Sequence, residues 1–136
     1  MSRGTVMVVE DDPDLREVIA EVLAADRFTV VQAANGADAL DLLRSAPELP
    51  SLILLDLMMP VMNGMQFRAV QRADPRLAAI PVVVMSAVTD GEAKTAALDP
   101  AAFLRKPTDR EGMLAMVRQH CRPVDGAPAA RWAGRP

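Results

Sequence analysis

Residues 52–64 read LILLDLMMPVMNG, and this stretch gives the clearest indication of the fold. Its first four residues are continuously apolar, a pattern typical of a strand that is buried on both faces of a parallel sheet. Asp56 follows this run directly, and Pro60 and Asn63-Gly64 then mark a turn and the start of a helix. A buried strand that leads through a turn into a helix is typical of an α/β protein.

Four further apolar runs lie on either side of this stretch. They are separated by segments with helical spacing, most clearly the stripe Leu15, Val18, Ile19, Val22 and Leu23, which follows the capping pair Asp12-Pro13. Strand and helix thus alternate five times, which predicts a three-layer (βα)5 sandwich around a doubly wound parallel sheet. The further strands are predicted at Thr5–Val9, Phe28–Val31, Val82–Met85 and Ala102–Leu104, and the further helices at Ala37–Ser45, from Asn63-Gly64, and after a cap at Asp109.

Composition limits the classes of function. The 136 residues are 51% hydrophobic and 24% charged, which suits one domain with a substantial core. A formal net charge of -3 argues against a main role in gripping nucleic acid. One cysteine and one histidine, Cys121 and His120, exclude an internal disulfide and argue against a zinc site. No apolar run approaches the ~20 residues of a membrane helix, so we expect a cytoplasmic protein with no membrane partner.

The composition changes after residue 122, where the chain continues as PVDGAPAARWAGRP. We therefore expect a folded domain over residues 1–122 and a Pro/Gly/Ala-rich tail or linker stub over residues 123–136. Trp132, the only tryptophan, lies in this tail. We expect the tail to be loosely held, with anchoring on the domain through Trp132 as the alternative.

Carboxylates follow two of the predicted strands. Ligands of open parallel sheets bind beyond the carboxyl ends of the strands, where Glu10, Asp11 and Asp56 lie. Two carboxylates ~4 Å apart repel by about 4 kcal/mol at an effective dielectric constant near 20, so a cation is expected between them. Few oxygen ligands with open water positions suit Mg²⁺ best. The alternative for Glu10, Asp11 and Asp12 is that they only cap the first helix, a role that Asp56 cannot have.

A hydroxyl and an ammonium group follow two of the remaining strands. Ser86 comes after the fourth strand, and Lys106 comes after the fifth. Each residue alone is ordinary, because serine often ends a strand and lysine is usually solvated. Together with the carboxylates and a hard cation, however, they are the groups that stabilise a transferring phosphoryl group.

The stretches VMVVEDDPDLR, LILLDLMMPVMNG, VVVMSA and FLRKP occur in an order and spacing that resemble the receiver domain of two-component response regulators, over residues 5–122. The resemblance implies a CheY-like, flavodoxin-like fold with strand order 2-1-3-4-5. It also implies a phosphoacceptor signalling domain rather than an enzyme, one that assists its own phosphotransfer and autodephosphorylation. Asp56 would take a phosphoryl group from the phosphohistidine of a sensor histidine kinase or of a histidine phosphotransfer protein.

The resemblance also implies roles around the acceptor. Asp11 and Asp56 would bind Mg²⁺, with Mn²⁺ as a substitute, together with the backbone carbonyl of Met58. Glu10 would hold a metal-bound water, and Lys106 would pair with a phosphoryl oxygen.

Further residues would carry the signal. The peptide between Lys106 and Pro107 would be cis. Ser86 would hydrogen-bond the phosphoryl group, and Phe103 would turn inward as Ser86 moves. The output would be the face of the fourth helix, fifth strand and fifth helix, contacting a downstream protein partner, with a phosphorylation-dependent dimer as a possible form.

Two departures from the family pattern change the expectations. Asp99-Pro100 stands where the family tends to carry Gly-Ala, so the fourth helix, roughly Gly91–Leu98, is expected to be short or irregular. Met58 and Val88, two residues after Asp56 and Ser86, are apolar. We expect them to shield the acyl phosphate from water and to slow self-dephosphorylation.

Other readings remain open. A receiver-like interaction module that works without phosphorylation is the main alternative, although all the acidic residues and the lysine are present. An Asp-nucleophile phosphatase would need an aspartate at the position of Met58, and a flavodoxin would need a phosphate-binding loop at the position of EDDPD. The sequence therefore fits neither class. We expect a stand-alone receiver with no direct nucleic-acid role, since no DNA-binding domain follows residue 122. The alternative is a receiver fragment of a longer regulator or hybrid kinase.

Overall fold

The protein is described by a computed structural model that covers residues 2–87, 96–106 and 108–121. Five parallel strands form one sheet in the order β2-β1-β3-β4-β5, which confirms the predicted topology. The strands are β1 (Thr5–Val9), β2 (Thr29–Ala33), β3 (Leu52–Asp56), β4 (Val82–Ser86) and β5 (Ala102–Arg105). The helices are α1 (Pro13–Ala25), α2 (Gly36–Ser45), α3 (Gly64–Ala73) and α4 (Arg110–His120), and a 3-10 turn covers Ala96–Leu98.

Four predictions fall outside the described residues. They concern Val88, the peptide between Lys106 and Pro107, the tail over 123–136 and the first part of the expected fourth helix. The helix labelled α4 here is the one that the sequence places last, after the cap at Asp109.

The core has two halves, one on each face of the sheet. β1, β3 and β4 are buried along their whole length, as their continuous apolar sequences predict. On one face they pack against α1 and α4 through Ile19, Leu23 and Val117, and on the other against α2 and α3 through Leu43 and Phe67. The result is the predicted three-layer sandwich.

Side-chain caps begin the helices where the sequence places them. The carboxylate of Asp12 accepts hydrogen bonds from the backbone N–H groups of residues 14 and 15 at the start of α1. Asn63 and Gln66 form a reciprocal capping box at the start of α3, and Asp109 caps α4. The backbone N–H groups at these helix starts are thereby satisfied, which fixes the direction in which each helix leaves the sheet.

The boundaries of β2 differ from the prediction. Phe28 does not begin the strand, because its backbone N–H bonds to the carbonyl of Leu23 and closes the turn after α1. The strand instead runs to Ala33, which pairs with Val9 of β1. The backbone of Arg27, with φ 70°, makes the reversal that separates helix from strand.

The segment before β5 is irregular where the sequence predicts it. Ala96–Leu98 forms a single 3-10 turn, and Asp99 follows in the left-handed region with φ 49°. Pro100 prevents a helix from continuing and disfavours right-handed helical angles at Asp99. Within the described residues, the chain thus enters β5 directly from a one-turn element.

Candidate functional site

The strands bring three carboxylates to one edge of the sheet. Asp56 is the last residue of β3 and pairs with Met85, while Glu10 follows β1 and donates its backbone N–H to Ala33 at 3.1 Å. One carboxylate oxygen from each of Glu10, Asp11 and Asp56 lies within 4.8 Å of the other two. Glu10 and Asp56 are buried and Asp11 is exposed, so the cluster opens to solvent on one side. The predicted acidic group is therefore assembled.

Lys106 completes the cluster from the end of β5, a strand at the edge of the sheet. Its backbone N–H donates to the carbonyl of Ser86 at 2.9 Å, which fixes it beside the end of β4. Its Nζ donates to Glu10 Oε1 at 2.5 Å and lies 3.4 Å from Asp56 Oδ1. The side chain is only 19% exposed, so Lys106 is not the solvated surface lysine that its sequence position alone would suggest.

The electrostatics of the site are dominated by burial and by the two buried carboxylates. Burial and the neighbouring Glu10 raise the pKa of Asp56 to about 7, although Lys106 and the backbone N–H of Met58 act in the opposite direction. Burial lowers the pKa of Lys106, but its hydrogen bond to Glu10 and the charge of Asp56 outweigh this effect and hold the pKa above its usual range. Lys106 is therefore a fixed positive charge at neutral pH. The carboxylates, by contrast, carry more negative charge than one lysine balances.

Two backbone features hold the acceptor in place. The backbone N–H of Met58 approaches Asp56 Oδ1 at 3.4 Å. Gly64 begins α3 directly beneath β3, and its N–H donates to the carbonyl of Leu57 at 2.9 Å. A Cβ at Gly64 would lie 2.6 Å from the carbonyl oxygen of Asp56, so this close approach requires glycine.

Arg16 is a residue of the site that sequence reasoning missed. Its Nη1 donates to the backbone carbonyl of Glu10 at 2.8 Å, and the N–H of Asp12 donates to Glu10 Oε2 at 3.2 Å. The bond from Arg16 holds the backbone of Glu10, and the bond from Asp12 holds its side chain. The available signal was a single arginine in the acidic first turns of α1.

The proposed switch residues lie on the two strands nearest the lysine. Ser86 is fully buried at the end of β4 and pairs with Arg105 of β5. Phe103 is half-buried, pairs with Val84 and packs against the core on the α2 and α3 face. Met58 follows the acceptor with its side chain 64% exposed. Ser86 and Phe103 thus lie on the two strands next to Lys106, and Met58 lies two residues after Asp56.

The donor set fits a hard divalent cation. Three carboxylates within reach of one another supply oxygen ligands, and the exposed side at Asp11 leaves room for water. Burial and the neighbouring Glu10 raise the pKa of Asp56, so a cation bound beside it would favour its ionised form. Among the helices that the structure describes, none is long and apolar enough to cross a membrane.

The chain is similar to known proteins along most of its length. A family profile described as the response regulator receiver domain matches residues 6–118. The DNA-binding response regulator MtrA of Mycolicibacterium smegmatis is 35% identical over 129 residues, which cover 93% of this chain and 54% of MtrA. The sensor histidine kinase TmoS of Ectopseudomonas mendocina is 39% identical over 114 residues, covering 82% of this chain and 11% of TmoS.

The fold has solved counterparts. The receiver domain of a signal transduction histidine kinase from Syntrophus aciditrophicus superimposes with a TM-score of 0.82 at 23% identity, covering 93% of this chain and 96% of that domain. At this identity the likeness concerns the fold alone. The chain spans about half the length of MtrA, so the likeness to that relative concerns only part of it.

Proposed function

The chain belongs to the response regulator receiver domain family, and from this premise we propose that Asp56 accepts a phosphoryl group from a phosphohistidine of a sensor histidine kinase or histidine phosphotransfer protein. The observation that carries the proposal is the convergence of three carboxylates and Lys106 at the end of β3. Receiver domains are phosphoacceptor signalling domains rather than conventional enzymes.

The chemistry is a displacement at phosphorus. A carboxylate oxygen of Asp56 forms the new O–P bond as the P–N bond to the donor imidazole breaks. The bonding pair leaves with the imidazole nitrogen, which is then protonated, and Asp56 carries an acyl phosphate. Lys106, already 3.4 Å from Asp56 Oδ1, attracts a phosphoryl oxygen, and the Ser86 hydroxyl donates to another.

We further propose that Asp11, Asp56 and the backbone carbonyl of Met58 hold Mg²⁺, with Glu10 contributing through a water and Mn²⁺ as a substitute. The oxygen donors of the three carboxylates support this assignment. The cation would neutralise charge on the phosphoryl oxygens during transfer. Asp11 is exposed, so the cluster is open to the incoming donor on that side.

We propose that phosphorylation shifts the equilibrium between an inactive and an active conformation. The phosphoryl group adds about two negative charges beside Ser86 and Lys106. Moving a switch from mostly off to mostly on takes about 5.5 kcal/mol of differential stabilisation. A few charge-assisted hydrogen bonds at roughly 1.5–3 kcal/mol each supply that amount. Phe103 is proposed to follow Ser86 and to change the face around β5 that contacts a downstream protein or a second copy.

We also propose where the protein lies in the cell and how its chain is organised. We propose a cytoplasmic, stand-alone receiver over residues 1–122 with a tail over 123–136, working without direct contact to nucleic acid. MtrA is named as DNA-binding and TmoS as a sensor kinase, so receivers of this kind occur in longer proteins. A receiver segment of a longer regulator or hybrid kinase is the alternative. The position of the stop codon in the encoding gene would show whether the protein ends at residue 136 or continues into a longer chain.

Intact mass after incubation with Mg²⁺ and acetyl phosphate tests the acceptor directly. We expect one phosphoryl adduct on the full chain and none on Asp56→Asn or after chelation. Asp38→Asn, which alters an exposed aspartate on α2, is the matched control and should accept the group normally. Absence of the adduct from the unaltered chain, with Mg²⁺ binding intact, would instead favour a module that acts without phosphorylation.

A further inference from the structure

The methionines of the chain differ widely in their exposure to solvent. Met58 is 64% exposed, the highest value among the methionines that the structure describes, and Met65 follows at 45%. Met59, the next residue after Met58, is only 9% exposed and packs in the core on the α2 and α3 face. The other described methionines are buried or partly buried: Met7, Met62, Met85, Met113 and Met116. Met58 is therefore the described methionine that is most open to a small solute.

We propose that Met58 is a reversible oxidation site: a peroxide converts it to methionine sulfoxide and thereby shortens the life of the acyl phosphate on Asp56. This inference rests on the proposed phosphoryl-acceptor function and adds a chemical regulator to it. The regulator is a small oxidant of the peroxide class, which needs only access to the sulfur.

The backbone places Met58 beside the acceptor. Its N–H approaches Asp56 Oδ1 at 3.4 Å, and the same oxygen lies 3.4 Å from Lys106 Nζ. The side chain of Met58 thus leaves the backbone next to the place where the phosphoryl group is held. Met65, the other exposed methionine, lies in the first turn of α3, nine residues after Asp56. A chemical change at Met58 should therefore affect the acceptor more than the same change at Met65.

The oxidation is a two-electron transfer of one oxygen atom. The thioether sulfur of Met58 attacks one oxygen of hydrogen peroxide, so the S–O bond forms as the O–O bond breaks. The sulfur is oxidised to the sulfoxide. The peroxide is reduced to water, because the hydrogen of the transferred oxygen passes to the departing hydroxide. The reaction turns a flexible apolar side chain into a polar one, and methionine sulfoxide reductases reverse it.

The new oxygen changes how water is held beside the acyl phosphate. A thioether is only a weak hydrogen-bond acceptor, so the unmodified Met58 side chain holds water poorly. A sulfoxide oxygen accepts a hydrogen bond from water and can orient it towards the phosphorus, as positioned polar groups do in general acid–base catalysis. The water then forms a new O–P bond while the bond from phosphorus to the Asp56 oxygen breaks. Inorganic phosphate leaves, and the Asp56 carboxylate is restored.

The single cysteine competes weakly for the oxidant. Peroxide oxidises the thiolate form of cysteine, and its reaction also depends on exposure. Cys121 is partly buried, and burial raises the pKa of its thiol to about 11, so little thiolate is present near neutral pH. Oxidation of the folded chain is therefore expected at Met58 rather than at Cys121.

Peptide mapping after brief treatment with hydrogen peroxide tests the site without any phosphodonor. We expect Met58 to gain one oxygen at least about threefold faster than Met59 and Met85, because burial keeps the oxidant from the sulfur of the other two. Unfolding in urea should remove this difference, since all the methionines are then exposed. Equal rates at Met58 and Met59 in the folded chain would overturn the proposal.

The rate of phosphoryl loss, followed by intact mass, tests the regulation. For each chain the readout is the ratio of the rate after peroxide treatment to the rate before it. We expect a ratio of at least about three for the unaltered chain and for Met65→Leu, the matched control. Met58→Leu keeps an apolar side chain of similar volume without an oxidisable sulfur, so its ratio should be about one. A methionine sulfoxide reductase should return the oxidised unaltered chain to its original rate.

Two results would overturn the inference while leaving the acceptor function intact. One is a normal adduct on the unaltered chain with a ratio near one, and the other is equal ratios in the two leucine variants. Absence of the adduct from the untreated chain would contradict the proposed function itself, and the effect on lifetime with it. Circular dichroism should be unchanged by the treatment, because the Met58 side chain lies largely in solvent.

Discussion

The loop after the acceptor contains a strained residue. Val61 has a backbone φ of 69°, and the N–H of Met62 donates to the carbonyl of Pro60 at 2.8 Å, which makes Val61 the centre of a tight three-residue turn. A branched side chain at positive φ costs about 1–2 kcal/mol. Because the side chain is 82% exposed, little packing offsets this cost.

Replacing this residue should therefore stabilise the protein. Val61→Gly is expected to raise the free energy of unfolding by about 0.5–1 kcal/mol, the relief of strain exceeding glycine's greater freedom in the unfolded chain. Val61→Ala keeps the Cβ and should change the free energy by less than about 0.5 kcal/mol. Urea unfolding measures both, and a destabilised glycine variant would show that the turn is unstrained.

The single cysteine should be unreactive in the folded chain. Burial raises the pKa of the Cys121 thiol to about 11, and Gly4 packs closely enough that a Cβ there would lie 3.1 Å from its Sγ. Since the thiolate is the nucleophile, a shift from 9.0 to about 11 lowers its fraction at pH 8 by about 100-fold. Alkylation by iodoacetamide, followed by mass, should be slow at pH 8 and accelerate up to about pH 11, and urea should abolish the protection. A folded rate equal to the unfolded one would refute this.

The apolar residues two positions after Asp56 and two positions after Ser86 should lengthen the life of the acyl phosphate. Met58→Asn combined with Val88→Glu supplies polar groups that can orient water, so phosphoryl loss should accelerate by at least about tenfold. Intact mass over time after removal of the donor measures the rate. Met65→Asn, at another exposed methionine, is the control and should leave the lifetime unchanged. An unchanged lifetime in the double variant would exclude shielding as the cause.

At the scale of elements, a buried arginine ties α3 to the segment before β5. Nε of Arg68 donates to the carbonyl of Leu98 at 2.9 Å, and Nη2 donates to that of Asp99 at 2.9 Å. Nη1 donates to Gln71 Oε1, and Gln71 in turn donates to the carbonyls of residues 77 and 80. The left-handed Asp99 and the entry into β5 are thus held by one side chain of α3.

Removing this arginine should loosen β5. Arg68→Met keeps an unbranched apolar stem but loses the three donor nitrogens, which is expected to cost about 2–4 kcal/mol of unfolding free energy. Hydrogen exchange of residues 102–105 should accelerate in the same variant. Arg44→Met, at an exposed position of α2, should stay within about 0.5 kcal/mol of the unaltered chain. Equal stabilities for the two variants would mean that packing alone positions β5.

For the molecule as a whole, the acidic cluster couples the free energy of unfolding to cation binding. Binding to the folded chain alone raises the free energy of unfolding by about 1.4 kcal/mol when Mg²⁺ is at ten times its Kd. Asp56→Asn removes one buried negative charge beside Glu10, so the chelated variant should be more stable than the chelated unaltered chain. The increase in unfolding free energy on adding Mg²⁺ should be smaller in Asp56→Asn, whereas Asp38→Asn should keep the full increase. Thermal unfolding with Mg²⁺ and with chelator measures these differences, and an equal gain in Asp56→Asn would place the cation elsewhere.

Much of the fold was predictable because its determinants are local. The continuous apolar runs identify β1, β3 and β4, since strands buried on both faces need no alternation. Asp12, Asn63 and Asp109 identify helix starts because a cap bonds N–H groups only two or three residues away. The strand order, by contrast, came from the family resemblance and not from the pattern itself.

Local sequence patterns are enough to predict the alternation of strands and helices, the caps and the presence of Asp56, Ser86 and Lys106 at strand ends. Only the tertiary structure decided that Lys106 pairs with Glu10, 96 residues away, that Arg68 holds Asp99, and that Val18 stays exposed. The difference arises because these interactions act over different separations along the chain. Periodicity and capping act within one or two turns of chain, whereas an ion pair or an exposed apolar side chain depends on which surfaces the sheet order brings together.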